Sequence, residues 1–182
     1  MNKFFIIVGP GGVGKDTIIK EVIKLNSNLF DLTTCTTRKP RPEDIPGKTL
    51  NFFSEKEFKR MIEKGEFLEF DIHFGAYYGS RKKDLEKLLE KGSVVADIDI
   101  HGAENLKKIR KEAITIFIKA KSKQVIVNRL KERGMSEKGI KMKLDRFDEE
   151  MIYEKKSDYV VINDDLKKAV DEVRSIIKNE TK

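Results

Sequence analysis

The sequence predicts an α/β fold, a parallel sheet flanked by helices, with an inserted, mostly β subdomain and a helical cover. Three observations carry this. Short, almost unbroken apolar runs recur along the chain; segments with apolar residues at helical spacing alternate with them; and two stretches break the alternation. The chain has 182 residues, 38% of them hydrophobic and 38% charged, which is enough apolar material for one core and argues against disorder.

The apolar runs are Phe4 to Val8, Val94 to Ile100, Ile114 to Ile118 and Tyr159 to Ile162. Runs of this length without polar alternation read as strands covered on both faces. Between them, Ile18, Ile19, Val22 and Ile23 repeat at 3.6-residue spacing, as do Ala103, Leu106 and Ile109, and Leu166, Ala169, Val170, Val173, Ile176 and Ile177. Strand followed by helix implies βαβ units and a parallel sheet.

The first exception, residues 38–80, opens with Arg-Lys-Pro-Arg-Pro-Glu-Asp-Ile-Pro-Gly and holds three of the four prolines. Short strand-like pieces follow, with a helix starting at Ser54, whose hydroxyl can cap while Glu57 reciprocates. The second exception, residues 129–146, is rich in Lys, Arg and Gly and reads as a mobile cover. The predicted organisation is one domain, 1–182, with a core of 1–37, 81–128 and 147–182, an insertion of 38–80 and a lid of 129–146.

The formal charge of +7 admits nucleic acid, a membrane surface or a small anionic substrate. Much of it is Lys beside Glu on helices, which is a solvated face. The arginines at 38, 41, 129 and 133 are better placed for phosphate. Basic residues interleaved with aromatics, as a nucleic-acid platform needs, are not evident, so no nucleic-acid partner is expected. Cys35 is the only cysteine, so no intrachain disulfide forms, and a reducing compartment, the cytoplasm, is expected. The run Phe4 to Val8 is too short for a signal or a membrane span.

Directly after the first strand stands Gly9-Pro10-Gly11-Gly12-Val13-Gly14-Lys15-Asp16-Thr17, followed by an amphipathic helix. This is the P-loop spacing: glycines let backbone N–H groups converge on phosphate oxygens, the helix start adds positive dipole, and Lys15 reaches the outer phosphates. The fold is therefore expected to be of the P-loop NTPase type, with ATP and Mg²⁺ as its cofactors. Asp16 replaces the usual Ser or Thr and offers a hard oxygen to the metal. Asp97 and Asp99 close a strand-like run, where such folds hold metal-bound water, and alternation points both carboxylates the same way.

In order and spacing, further segments complete a pattern: Thr36-Thr37-Arg38-Lys39-Pro40-Arg41, Gly47-Lys48 with Asn51-Phe52, Phe67-Leu68-Glu69, Tyr77-Tyr78-Gly79-Ser80, Asp97-Ile98-Asp99 with Gly102, Arg129-Leu130 with Arg133-Gly134, and Ile162-Asn163-Asp164-Asp165. On these the chain resembles the guanylate kinases over nearly its whole length. The resemblance implies a GMP-binding insertion and a lid, ATP-dependent phosphorylation of GMP, and small-molecule substrates rather than a membrane. It implies that Arg38, Arg41 and Tyr78 hold the acceptor phosphate and that Thr34, Glu69, Ser80 and Asp99 read guanine. Lys15, Arg38, Arg129 and Arg133 serve catalysis, Asn163 lies on the adenine side, and Asp16 and Asp97 serve the metal. Leu50, His101 and Lys143 depart from the residues usual in the family.

Two other readings are a ribose bisphosphate phosphokinase, in which Lys-Asp also ends the P-loop, and a non-catalytic guanylate-kinase-like binding module. Glu69, Ser80 and Asp99 argue against the first, since a sugar phosphate needs no guanine reader. Lys15 and the lid arginines argue against the second. Oligomeric state is not legible.

Overall fold

A computed structural model describes every residue except Glu43, Lys48, Thr49 and Phe74, and all but the side chain of His73. Lys48, part of the Gly47-Lys48 match, thus lies outside the described residues. In chain order the elements are β1 (Phe4–Val8), α1 (Lys15–Lys24), β2 (Leu29–Asp31), β3 (Cys35–Thr36), β4 (Asn51–Phe52), α2 (Glu55–Glu63), β5 (Phe67–His73), β6 (Ala76–Arg81) and α3 (Lys82–Leu89). There follow β7 (Ser93–Asp97), α4 (Ile100–Ile109), β8 (Ile114–Lys119), α5 (Lys123–Glu132), α6 (Glu137–Asp145), α7 (Phe147–Ile152), a 3₁₀ turn (Tyr153–Lys156), β9 (Tyr159–Ile162) and α8 (Leu166–Glu180).

The main sheet has the order β2-β7-β1-β8-β9, all pairs parallel. Successive side chains of a strand point to opposite faces, and β1 shows it. Phe5 and Ile7 join a core with residues of α1 and α8, whereas Phe4, Ile6 and Val8 join a second core with Leu85, Ala103 and Leu106 of α3 and α4. With both faces covered, an unbroken apolar strand is what burial requires.

The second sheet, β4-β3-β6-β5, is mixed: β3 runs parallel to β4 and antiparallel to β6, and β5 is antiparallel to β6. Its strands take in Cys35–Thr36 and Arg81, a few residues beyond 38–80 at either end. Its own core is Cys35, Phe58, Met61 and Phe67, with Phe58 stacked on Phe67 at 4.3 Å. Ser54 caps α2 in a capping box with Glu57, as its spacing predicts.

One expected strand is shorter than its apolar run. Val94 to Ile100 reads as a single strand, but β7 ends at Asp97, and Asp99 turns to cap α4, its Oδ1 accepting the N–H groups of His101 and Gly102 at 2.9 and 3.1 Å. A short acid before a helix satisfies otherwise orphaned N–H groups, and this outweighs the apolar pattern.

Candidate active site

Between the two sheets lies a cleft of about 590 Å³, bounded on one side by Gly9, Gly11, Lys15 and Asp16 and on the other by Arg41, Glu69, Tyr78 and Gly79. The C-terminal ends of β2 and β7 form its floor with Asp31, Asp97 and Asp99. Openings beyond the carboxyl ends of parallel strands are where α/β folds bind ligands.

The glycine-rich loop joins β1 to α1. Gly14, at the helix start, has φ +100, and a Cβ there would stand 2.6 Å from Asn163 Nδ2, so both backbone conformation and space require glycine. Asn163, expected on the adenine side, is buried, and its amide donates to Val13 O at 2.7 Å. Arg129, expected at the transferred phosphoryl, instead donates to Val13 O at 3.1 Å and Asn163 O at 2.8 Å. These two side chains tie the phosphate loop to the end of β9. Arg133 is exposed at the C-terminal cap of α5 and is not among the residues bounding the cleft.

Lys15 folds back on its own loop, Nζ donating to Gly9 O at 2.8 Å, and lies 3.8 Å from Asp97 Oδ1. Burial pushes the Asp97 carboxyl up to about 7; Lys15 opposes this, and Asp16, which hydrogen-bonds with it, adds to the rise. Asp31 is likewise raised, to about 6, by burial and then by Asp16. Asp16 and Asp97, two carboxylates beside the phosphate loop, are of the kind that suits Mg²⁺, which binds through one or two carboxylates plus phosphate oxygens. Among the described residues no group of three His, Cys, Asp or Glu side chains is arranged as a metal cage.

Across the cleft, Glu69 Oε2 and Asp99 Oδ2 lie 2.9 and 3.2 Å from where a Cβ on Gly102 would stand, with Ile98 Cγ2 at 2.8 Å, so the two carboxylates converge over the bare backbone of a glycine. Burial lifts Glu69 to about 7, Asp99 adds to the rise, and Ser80 nearby opposes it. Ser80 Oγ is buried beside this carboxyl with no partner in hydrogen-bond geometry among the described residues. Thr34 completes this wall. Tyr77 packs on Phe58, at 5.4 Å, rather than facing the cleft.

Arg38 is held by a residue that spacing did not single out. Asp44 accepts from Nη1 at 2.6 Å and Nη2 at 2.9 Å, and also from the Arg41 N–H at 2.6 Å. This fork, with the Arg41 N–H, holds the Asp44 carboxyl down at about 2. Tyr78 lies beside the same guanidinium. The only sequence signal for Asp44 is an acid three residues after Arg41 in the proline-rich loop. Glu150, which bounds the cleft from α7 and accepts the Gly11 N–H at 3.3 Å, left no signal at all.

A parallel sheet whose first strand feeds a phosphate loop, closed by a smaller acid-lined sheet, defines a P-loop nucleotide-binding protein of the small kinase type. A family model described as guanylate kinase matches residues 1–180, and the chain belongs to the guanylate kinase family. It is 44% identical to the guanylate kinase of Caldanaerobacter subterraneus subsp. tengcongensis over 174 residues, covering 94% of this chain and 84% of that one. It is 42% identical to that of Helicobacter pylori strain J99 over 184 residues, covering 98% and 89%. The crystal structure of guanylate kinase from Anaplasma phagocytophilum superposes with a TM-score of 0.79 at 25% identity, covering 98% of this chain and 86% of that one.

Proposed function

We propose that the protein transfers the γ-phosphoryl group of ATP to the phosphate of GMP, with dGMP as a second acceptor, releasing ADP and GDP in the cytoplasm. The observation that carries this reading is the convergence of Glu69 and Asp99 on Gly102, beside the buried Ser80 hydroxyl and across the cleft from the phosphate loop. Guanine offers donors at N1 and its 2-amino group and an acceptor at O6, which match carboxylates and a hydroxyl. A sugar-phosphate kinase has no use for such a wall.

In this reading 38–80 is the acceptor insertion and 129–146 the lid. Arg38, fixed by Asp44, and Arg41 and Tyr78 hold the acceptor phosphate. The N–H groups of the phosphate loop and Lys15 hold the donor. Asp16 and Asp97 are the residues that would hold Mg²⁺, which when bound neutralises charge on the donor phosphates. Transfer is direct and in line: positioning and charge neutralisation do the work, with no covalent intermediate. Arg129 acts from its clip on Val13, and Arg133 reaches the site only when the lid closes.

An acceptor screen with ATP and Mg²⁺ tests this. GMP should exceed AMP in kcat/KM by roughly 10⁴, the discrimination expected where a mismatched base leaves buried polar groups unpaired. Comparable efficiency with AMP, or turnover of a sugar phosphate without GMP turnover, overturns the reading.

A further inference from the structure

Glu150 stands 139 residues from the phosphate loop in sequence, yet its Oε2 accepts the Gly11 N–H at 3.3 Å. That N–H belongs to the glycine-rich loop, whose N–H groups as a set turn toward phosphate oxygens. A carboxylate thus sits where the donor's phosphate needs to be, with the same sign of charge and the same acceptor chemistry. Cations gather round it. Lys15, Arg146 and Lys143 all act on its charge, and Lys143 Nζ stands 3.1 Å from where a Cβ on Gly11 would be. The neighbouring Glu149 reaches His101 at the start of α4, Oε1 to Nε2 at 3.1 Å. Adjacent residues of α7 therefore bridge to the phosphate loop and to the helix capped by Asp99.

The contact is built to be exchanged. It is one hydrogen bond, longer than the usual charge-assisted length, and burial opposes ionisation of the Glu150 carboxyl. A di- or triphosphate brings more oxygens and more charge to the same loop and the same cations. We propose that Glu150 is a resident competitor for the donor's phosphate position: its carboxylate occupies an anion position on the phosphate loop, keeps Lys15, Lys143 and Arg146 around it, and is exchanged for a phosphate when the nucleotide binds. The inference rests on the P-loop reading of this site and is indifferent to which base the acceptor carries. Its consequence is that donor affinity is set below what the loop alone would give, and that release of α7 accompanies donor binding.

Calorimetric titration of the full chain with ADP, and separately with pyrophosphate, tests it. Glu150→Gln keeps the shape and removes the charge. Both ligands should bind about three- to tenfold more tightly, the size expected for removing one partly screened charge from an anion site. GMP affinity should stay within about twofold. Glu150→Asp, one methylene shorter and so withdrawn from Gly11, should move ADP affinity the same way. Unchanged or weaker ADP and pyrophosphate binding in both variants overturns the proposal. A wild-type protein that binds neither ligand overturns the P-loop reading with it, whereas wild-type binding without a gain in the variants sinks only the exchange.

Discussion

The five-stranded sheet is sandwiched between helices and carries a large core on each face, whereas the four-stranded sheet rests on Cys35, Phe58, Met61 and Phe67. Its edge strand β5 leaves Phe70 at 45% and Ile72 at 53% exposure. In the proposed reading, the donor side is thus held by the bulk of the hydrophobic material and the acceptor side by a small cluster of its own. Segments with few buried apolar contacts open at lower free energy than the rest. A kinase needs this asymmetry, because the transferred group must be shielded from water after both substrates have entered.

Removing the lysine at the start of α1 strikes the rigid half. Lys15→Ala should lower kcat by roughly 10² or more, as loss of a transition-state charge partner does, while GMP binding measured by titration stays nearly unchanged. Full turnover in a folded variant would refute the donor assignment. A strike at the other half should read out differently. Phe58 is fully buried and stacked on Phe67, so Phe58→Ala should cost about 3–5 kcal/mol of local stability. Hydrogen exchange should accelerate first in β3 to β6, and the GMP KM should rise on the order of tenfold while ADP affinity holds. Equal loss on both sides would show that the two sheets unfold as one unit.

The smallest effect expected is a pH dependence at the acceptor wall, isolated by the Glu69→Gln variant from that of Asp97 and Asp31, which are raised as well. The Glu69 carboxyl is raised by burial from 4.5 to about 7, so the native protein binds more protons than the unfolded chain across that interval. Stability therefore falls as pH rises from about 4.5 to 7. Guanine recognition runs the other way, since only the ionised carboxylate accepts from both donors of the base. GMP affinity should climb a few-fold between about pH 6 and 8. The GMP phosphate itself titrates near pH 6, so the comparison is with Glu69→Gln, in which the part of the rise due to this carboxyl should vanish. An identical pH profile in the variant would remove Glu69 from the base site.

Local pattern read most of the main sheet. The bounds of β1 and β9 match their apolar runs, but only β1 is covered on both faces; β9, at the sheet edge, buries Val161 and leaves Ile162 exposed, so the expectation of a doubly covered strand fails there. Asp99 broke the second run because capping a helix outweighed apolar continuity. In the site, Lys15, Glu69, Ser80 and Asp99 were legible as residue types at fixed offsets from glycines, and they lie along or just beneath the cleft. Arg129 and Asn163 were legible by position, but their side chains turn to backbone carbonyls, which no spacing encodes. Glu150 was invisible because its significance lies in a contact across 139 residues.

The clip of Asn163 and Arg129 on Val13 also bears on how the protein is made. In synthesis, the amide that braces the loop at residues 9–14 arrives 150 residues after it. At translation rates of roughly 5–20 residues per second, the loop waits on the order of ten seconds for that brace. β1, moreover, lies between β7 and β8 and lacks both neighbours until they too have been made. During that interval the emerging chain presents an apolar strand with two unpaired edges and a glycine loop without its brace. Bracing of the phosphate loop is therefore a late event in biogenesis, one that accompanies completion of the main sheet.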